Sequence, residues 1–271
     1  MCGDSTRFGA WRNASRRSWH YVAMPRAGPT RLPPVTQARV RRGYFECRYG
    51  QLHVHNAMPP GGGFEEGLPL LCVHDFGASG RSFAPFLAVA GHDRSVYAPD
   101  LPGFGESDPP AAAAAIADYG AALGDFLDSL HLRQVAVLGW RAGTLIATEL
   151  ALSRPAQVSR VILVSVPLLT EAERQGAVSA TAPVPAPAAA PAPEQLRVLE
   201  AAAQYPLRER LAKLTQRVLV LRPHDEPREA TGRVRNALPS ARLSDFDTTA
   251  AELFVVAAQR VVETLRDFLH G

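Results

Sequence analysis

The sequence predicts an α/β fold with a mostly parallel central sheet flanked by helices. Three observations carry this reading. Apolar runs recur that are continuous and not alternating, at Leu68–Val73, Val135–Leu138, Val161–Val166 and Val218–Leu221, as strands buried on both faces require. Between them, apolar residues fall at helical spacing, as at Ala122, Leu123, Phe126, Leu127 and Leu130. One run passes through Gly139-Trp140-Arg141-Ala142-Gly143 straight into an alanine- and leucine-rich stretch, which makes a strand, a sharp turn and a helix. Glycines at both ends of that turn let a bent backbone pass close to its neighbours and place Arg141 at the tip.

With 271 residues, 46 % of them apolar, the chain is long enough for one full-sized core. It contains no run of 18 apolar residues and no apolar N-terminal stretch, so it reads as a soluble cytoplasmic protein without a membrane partner. Cys2, Cys47 and Cys72 lack metal-ligand spacing, and their odd number reads as free thiols in a reducing compartment. The net charge of +3 is uneven: residues 1–42 hold nine arginines and one acid, and the remainder is acidic. Of the 29 basic residues only Lys213 is a lysine. With the abundant alanine and proline, that points to GC-rich coding and not to a nucleic-acid partner.

Residues 1–41 show no sustained period and are broken by Pro25, Pro29, Pro33 and Pro34, the pattern of a basic, disordered leader with Met24 as an alternative start. The domain is expected over residues 42–270. Gly43–Arg48 and Gln51–His55 should form a hairpin about Tyr49-Gly50, with His53 and His55 on one half-exposed face. They lack a third ligand nearby in sequence, so no metal is expected. The strand ending at Val73 leads into His74-Asp75-Phe76-Gly77, and the next into Asp100-Leu101-Pro102-Gly103-Phe104-Gly105-Glu106-Ser107, where Asp100 and Ser107 can satisfy turn amides. Residues 177–193 are alanine and proline with little to bury, and read as disordered. Leu196–Tyr205 and Leu207–Leu214 read as short helices. His224 and Asp225 follow the Arg217–Leu221 strand. Asp247 follows a last strand, Ala241–Phe246, and precedes a closing helix Glu252–Leu269 with Leu253, Val256, Ala257, Val261, Leu265 and Leu269 facing inward.

The turn at 139–143, the loop at 74–77 and the D-x-x-G-x-G-x-S turn at 100–107 together resemble the α/β-hydrolase family, over roughly residues 42 to 270. The resemblance implies a cap at residues 167–216, here vestigial and leaving an open pocket. It places the nucleophile of a G-x-S-x-G elbow at Arg141, the oxyanion donors at the amides of Phe76 and Ala142, and the triad acid at Asp225. The catalytic histidine belongs between the last strand and helix, where Asp247 stands instead; none of the eight histidines lies in residues 244–252. A guanidinium has no lone pair for attack, so Arg141 is no nucleophile. Loss of nucleophile or base costs a serine hydrolase on the order of 10⁶ in turnover.

Arg141 at a helix N-terminus suits a carboxylate or phosphate; paired with Asp225 or Asp247 it would instead fill the vacated triad with an inert ion pair. Asp75 stands where the family has glycine, and would repel an anion or pair with Arg141. The sequence therefore predicts a catalytically impaired member without cofactor or metal. Its partner is a small anionic or acyl ligand, a carboxylate or an ester, held among Phe76, Ala142, Arg141, His74 and Trp140, or else a protein. The alternative is an active hydrolase or lyase that uses Asp225 with His224 or a bound water.

Overall fold

The computed structural model describes residues 38–61, 67–170, 172–173, 193–224 and 228–270. The leader up to residue 37, the disordered-segment expectation up to residue 192, and Asp225 lie outside the described residues. No helix among the described residues is long and apolar enough to cross a membrane.

Among the described residues eight strands form one sheet: β1 (Arg41–Cys47), β2 (Gly50–Ala57), β3 (Leu70–Val73), β4 (Val96–Pro99), β5 (Val135–Trp140), β6 (Val158–Val164), β7 (Arg217–Arg222) and β8 (Arg242–Asp245). Their order is β1-β2-β4-β3-β5-β6-β7-β8. Only β2 runs against its neighbours, pairing antiparallel with β1 and β4, while every pair from β4 to β8 is parallel. The helices are α1 (Ala84–Ala90), α2 (Ile116–Ser129), α3 (Gly143–Ser153), α4 (Pro193–Gln204), α5 (Leu207–Leu211), α6 (Arg228–Gly232), α7 (Val234–Ala237), α8 (Ala250–Leu253) and α9 (Ala258–His270).

The continuous apolar strands are explained by two cores, one on each face of the sheet. Along β5, Val135 and Val137 pack into the core that includes Leu123, Phe126 and Leu127 of α2 and Leu145, Ile146 and Leu150 of α3. Ala136, Leu138 and Trp140 point the other way, toward Phe86 and Leu87 of α1 and Val261 and Leu265 of α9. Alternation along an extended strand puts successive side chains on opposite faces. Each fully buried leucine or phenylalanine contributes about 1.5–3 kcal/mol, so both faces hold the sheet.

Two expectations need correction. The closing helix is two helices, α8 and α9, and not one. Thr249 and Glu252 cap α8 reciprocally: the Thr249 amide donates to Glu252 Oε2 at 3.1 Å and the Glu252 amide to Thr249 Oγ1 at 3.2 Å. The Glu252 carbonyl then takes the amides of both Val255 and Val256, and the chain turns. The turn seats Phe254 edge-on against Phe83 and Phe86. Val256 is left 74 % exposed, contrary to its expected inward position, while Val262 and Phe268 join the core. The second correction concerns β2. It lies between β1 and β4, so His53 and His55 are buried, not half-exposed. Sequence distance had hidden their third neighbour: nitrogens of both and an oxygen of Asp100 lie within 4.8 Å of one another, a grouping able to hold a metal. Asp100 is already engaged there, with His53 Nδ1 at 2.9 Å and the amides of Gly80 and Glu106 at 2.7 and 2.9 Å.

Candidate functional site

The elbow joins β5 to α3, and its glycines are required by close approach. A Cβ on Gly139 would lie 2.5 Å from the Gly143 carbonyl oxygen, and one on Gly143 would lie 2.3 Å from that of Val73. Pinned between them, Arg141 adopts φ +49°, which costs a side chain of its kind about 1–3 kcal/mol. Its amide donates to the Val164 carbonyl at 2.8 Å and its carbonyl receives the Thr144 amide at 2.9 Å. The strained tip is thus locked to β6 and to the first turn of α3.

The loop after β3 meets this tip. The amides of Phe76 and Ala142, to which the family resemblance assigned a shared role, do converge on a single atom, but that atom belongs to the protein. Asp75 Oδ1 accepts from the Phe76 amide at 2.9 Å and from the Ala142 amide at 3.1 Å. Asp75 itself therefore stands on both amides, and the Arg141 charge acts on it as well. Burial pushes the Asp75 carboxyl up to about 6, against the pull of the Ala142 amide, the Arg141 charge and the Phe76 amide.

His74 is fixed behind this loop. Its Nε2 accepts the Leu101 amide at 2.8 Å, so the proton sits on Nδ1, which faces the Asp75 carbonyl at 2.7 Å. Complete burial holds its pKa down to about 4. A neutral ring with both nitrogens occupied is a clamp between two loops. It does not face the cavity, and as a ligand contact His74 is corrected to a positioning residue.

A cavity of about 330 Å³ opens above the elbow. Asp75, Phe76, Arg141, Ala142 and Ser165 form its polar floor, and Leu145, Pro167, Leu168, Leu199 and Leu207 are among its apolar walls. Two described helices, α4 and α5, lie over the site. Glu149 of α3, buried, receives the Tyr205 hydroxyl at 2.6 Å and the Arg210 guanidinium, so that α4 and α5 are fastened over the site. Trp140 is not part of this lining. Its place on β5 turns it to the opposite core, where its indole meets Phe83 and Phe254 edge-on and its Nε1 is buried without a partner. Asp247 and His224 are both exposed, the latter donating its amide to the Thr248 carbonyl.

Ser165 went unnoticed in the sequence. It follows β6 in an apolar context that signals only a strand end, yet it takes φ +52° and is buried, with a hydroxyl that has no hydrogen-bond partner among the described residues.

Comparison with known proteins agrees with this architecture. The thermophilic esterase from Thermogutta terrifontis superposes with a TM-score of 0.68 at 17 % identity, over 85 % of this chain and 98 % of that one. The enol-lactonase from Burkholderia xenovorans LB400 gives 0.66 at 17 % identity, over 84 % and 100 %. A pimeloyl-[acyl-carrier protein] methyl ester esterase from Shewanella woodyi is 33 % identical over 103 residues, 37 % of this chain and 36 % of its own. An uncharacterized protein of Mycobacterium tuberculosis is 30 % identical over 139 residues, 51 % of this chain and 37 % of its own. The matched segments span little more than a third of these curated relatives. A family profile described as alpha/beta hydrolase fold matches residues 69–242. On that match, with the mostly parallel eight-stranded sheet and the glycine-pinned elbow after β5, the chain belongs to the α/β-hydrolase fold family.

Proposed function

We propose that this protein is a catalytically impaired α/β-hydrolase that binds a small carboxylate- or acyl-bearing ligand without hydrolysing it. One observation carries the reading: Asp75 Oδ1 occupies both amides that a tetrahedral oxyanion would need. An incoming oxyanion would have to displace a carboxylate and then face its charge. Loss of a single such donor costs about 10²–10³ in turnover. Here both are taken, on a tip whose side chain is a guanidinium and not a nucleophile. The cavity lies at the small end of the range for ligand sites. Its leucines suit an aliphatic body, and the planar fork of Arg141 suits a carboxylate head. Acyl ligands are also what the Shewanella woodyi relative handles, by its name.

Initial rates on p-nitrophenyl acetate, butyrate and hexanoate test the impairment, with the full chain and its Arg141→Ala variant side by side. Both should match buffer. Hydrolysis above buffer that disappears in the variant would make Arg141 part of a working site and overturn the reading.

A further inference from the structure

β1 closes one end of the sheet, so one of its two edges faces no strand among the described residues. Which backbone groups lie on that edge follows from the hairpin. Arg48 and Tyr49 form a two-residue turn, and the pair that flanks it, Cys47 and Gly50, exchanges hydrogen bonds. Antiparallel partners alternate between bonded and non-bonded pairs, so Glu46 with Gln51, Tyr44 with His53 and Arg42 with His55 are non-bonded. The bonds of β2 agree. Gln51 donates its amide to Asp108 Oδ2 at 2.8 Å, and its carbonyl receives the Asp108 amide at 2.9 Å. His53 donates its amide to Ser107 Oγ at 2.9 Å, and its carbonyl receives the Asp100 amide at 2.8 Å. The amides and carbonyls of Arg42, Tyr44 and Glu46 therefore point away from β2, along the open edge. The side chains of the same three residues are exposed, that of Tyr44 on a residue 53 % accessible.

Natural sheets keep an edge single with proline, with bulges, or with charges that a second strand would have to face. β1 lacks proline, and its register with β2 is unbroken. Its charges match a second copy instead of repelling it, because Arg42 and Glu46 stand two residues to either side of Tyr44. An antiparallel copy centred on Tyr44 sets Arg42 against Glu46 at both ends and the two tyrosines against each other, while Arg41 meets the uncharged Cys47. In that register every outward amide meets an outward carbonyl. Slipping it by two residues leaves both charges unmatched, and slipping it by four sets Arg42 on Arg42 or Glu46 on Glu46. We propose that this edge is a self-association surface, on which two copies of the chain pair β1 with β1 about a two-fold axis at Tyr44 and continue one sheet into the other. The occupant is a second copy because the strand is complementary to itself in this one register.

Sedimentation velocity of the full chain over a range of concentrations tests this. A strand-to-strand contact is a small interface, so the dimer should form in the micromolar range. Arg42→Glu and Glu46→Arg each set like charges against each other at both ends of the pairing, and each should weaken self-association at least tenfold. Both side chains are exposed, and the bond that Glu46 accepts from Gln51 Nε2 at 3.1 Å joins exposed groups, so neither change reaches the core. Mixed in equal amounts, the two variants again oppose acid to base throughout, and should associate with each other as tightly as the native chain does with itself. That recovery also shows both variants to be folded. A native chain that stays monomeric at every concentration overturns the proposal, as does a dimer that either variant leaves intact or that the mixture fails to restore.

Discussion

Asp75 and Asp100 sit in consecutive loops beyond β3 and β4, and both accept backbone amides, yet they are differently employed. Asp100 is buried and uses both oxygens: Oδ1 takes the Gly80 amide, and Oδ2 takes the Glu106 amide and His53 Nδ1. Its own carbonyl receives the Ser107 hydroxyl, so the turn is closed on every side. Asp75 gathers its two amides on one oxygen at the edge of a cavity that the residue lines. The first carboxylate is consumed by the fold. The second gives one oxygen to the amides of two loops beside a cavity. The number of donors a loop supplies, and not the burial of the acid, separates structural from functional use.

The most severe way to break this comparison is Asp100→Ala. It would leave two amides and His53 Nδ1 without an acceptor in a buried site, at about 3–5 kcal/mol. Urea unfolding would measure it; a loss of less than about 1 kcal/mol would mean that water replaces the carboxylate and that Asp100 is no more committed to the fold than Asp75.

Glu149 extends the comparison to an acid held by side chains. Tyr205 and Arg210 fasten α4 and α5 to it. Glu149→Ala should cost about 2–3 kcal/mol, less than Asp100→Ala because Arg210, with 30 % of its side chain exposed, can turn to solvent. Limited proteolysis within residues 193–211 should quicken in the same variant. Unchanged cleavage would show that the apolar contacts of Leu207 and Leu211 hold the cap by themselves.

How much of this was legible in the sequence follows from how local each cause is. The elbow was readable because Gly139 answers to a steric demand a few residues away, at Gly143; the demand on Gly143 comes from the distant Val73 carbonyl and was carried by the motif alone. The Asp100 turn was readable for the same reason, since Glu106 and Ser107 lie within seven residues of it. The pairing of the Phe76 and Ala142 amides came from family resemblance, but the atom they share did not. Whether Asp75 reaches an amide 67 residues downstream depends on how β3 and β5 are juxtaposed, and no spacing records that. Trp140 was misplaced because the turn was read as a unit, although strand alternation assigns it to the far core. The break between α8 and α9 was missed because the apolar period runs through it, while the Glu252 carbonyl and the seat of Phe254 decide where the helix stops.

The finest distinction between the two aspartates is a pH dependence. In Asp75 the folded-state pKa is raised to about 6 from an ordinary value of 3.8. The folded protein then binds the proton more tightly than the unfolded chain, so stability falls as pH rises through this interval, and the penalty is complete above about 6. Asp75→Asn removes the charge and retains the acceptor for both amides. It should therefore stabilise the protein by about 1–3 kcal/mol at pH 7.5 and by almost nothing near pH 4. His74 has the opposite sign: its pKa is lowered to about 4, so stability is lost as pH falls from about 6.5 toward that value, in native protein and variant alike. Native stability should for this reason change little between pH 6 and 4, with the two slopes opposed, and the variant should expose the descending histidine slope alone. The difference between the two urea midpoints at each pH cancels His74 and isolates Asp75. A difference that does not shrink on acidification would show that Asp75 is comfortably ionised in its site, as fully provided for as Asp100, with nothing left over for a ligand.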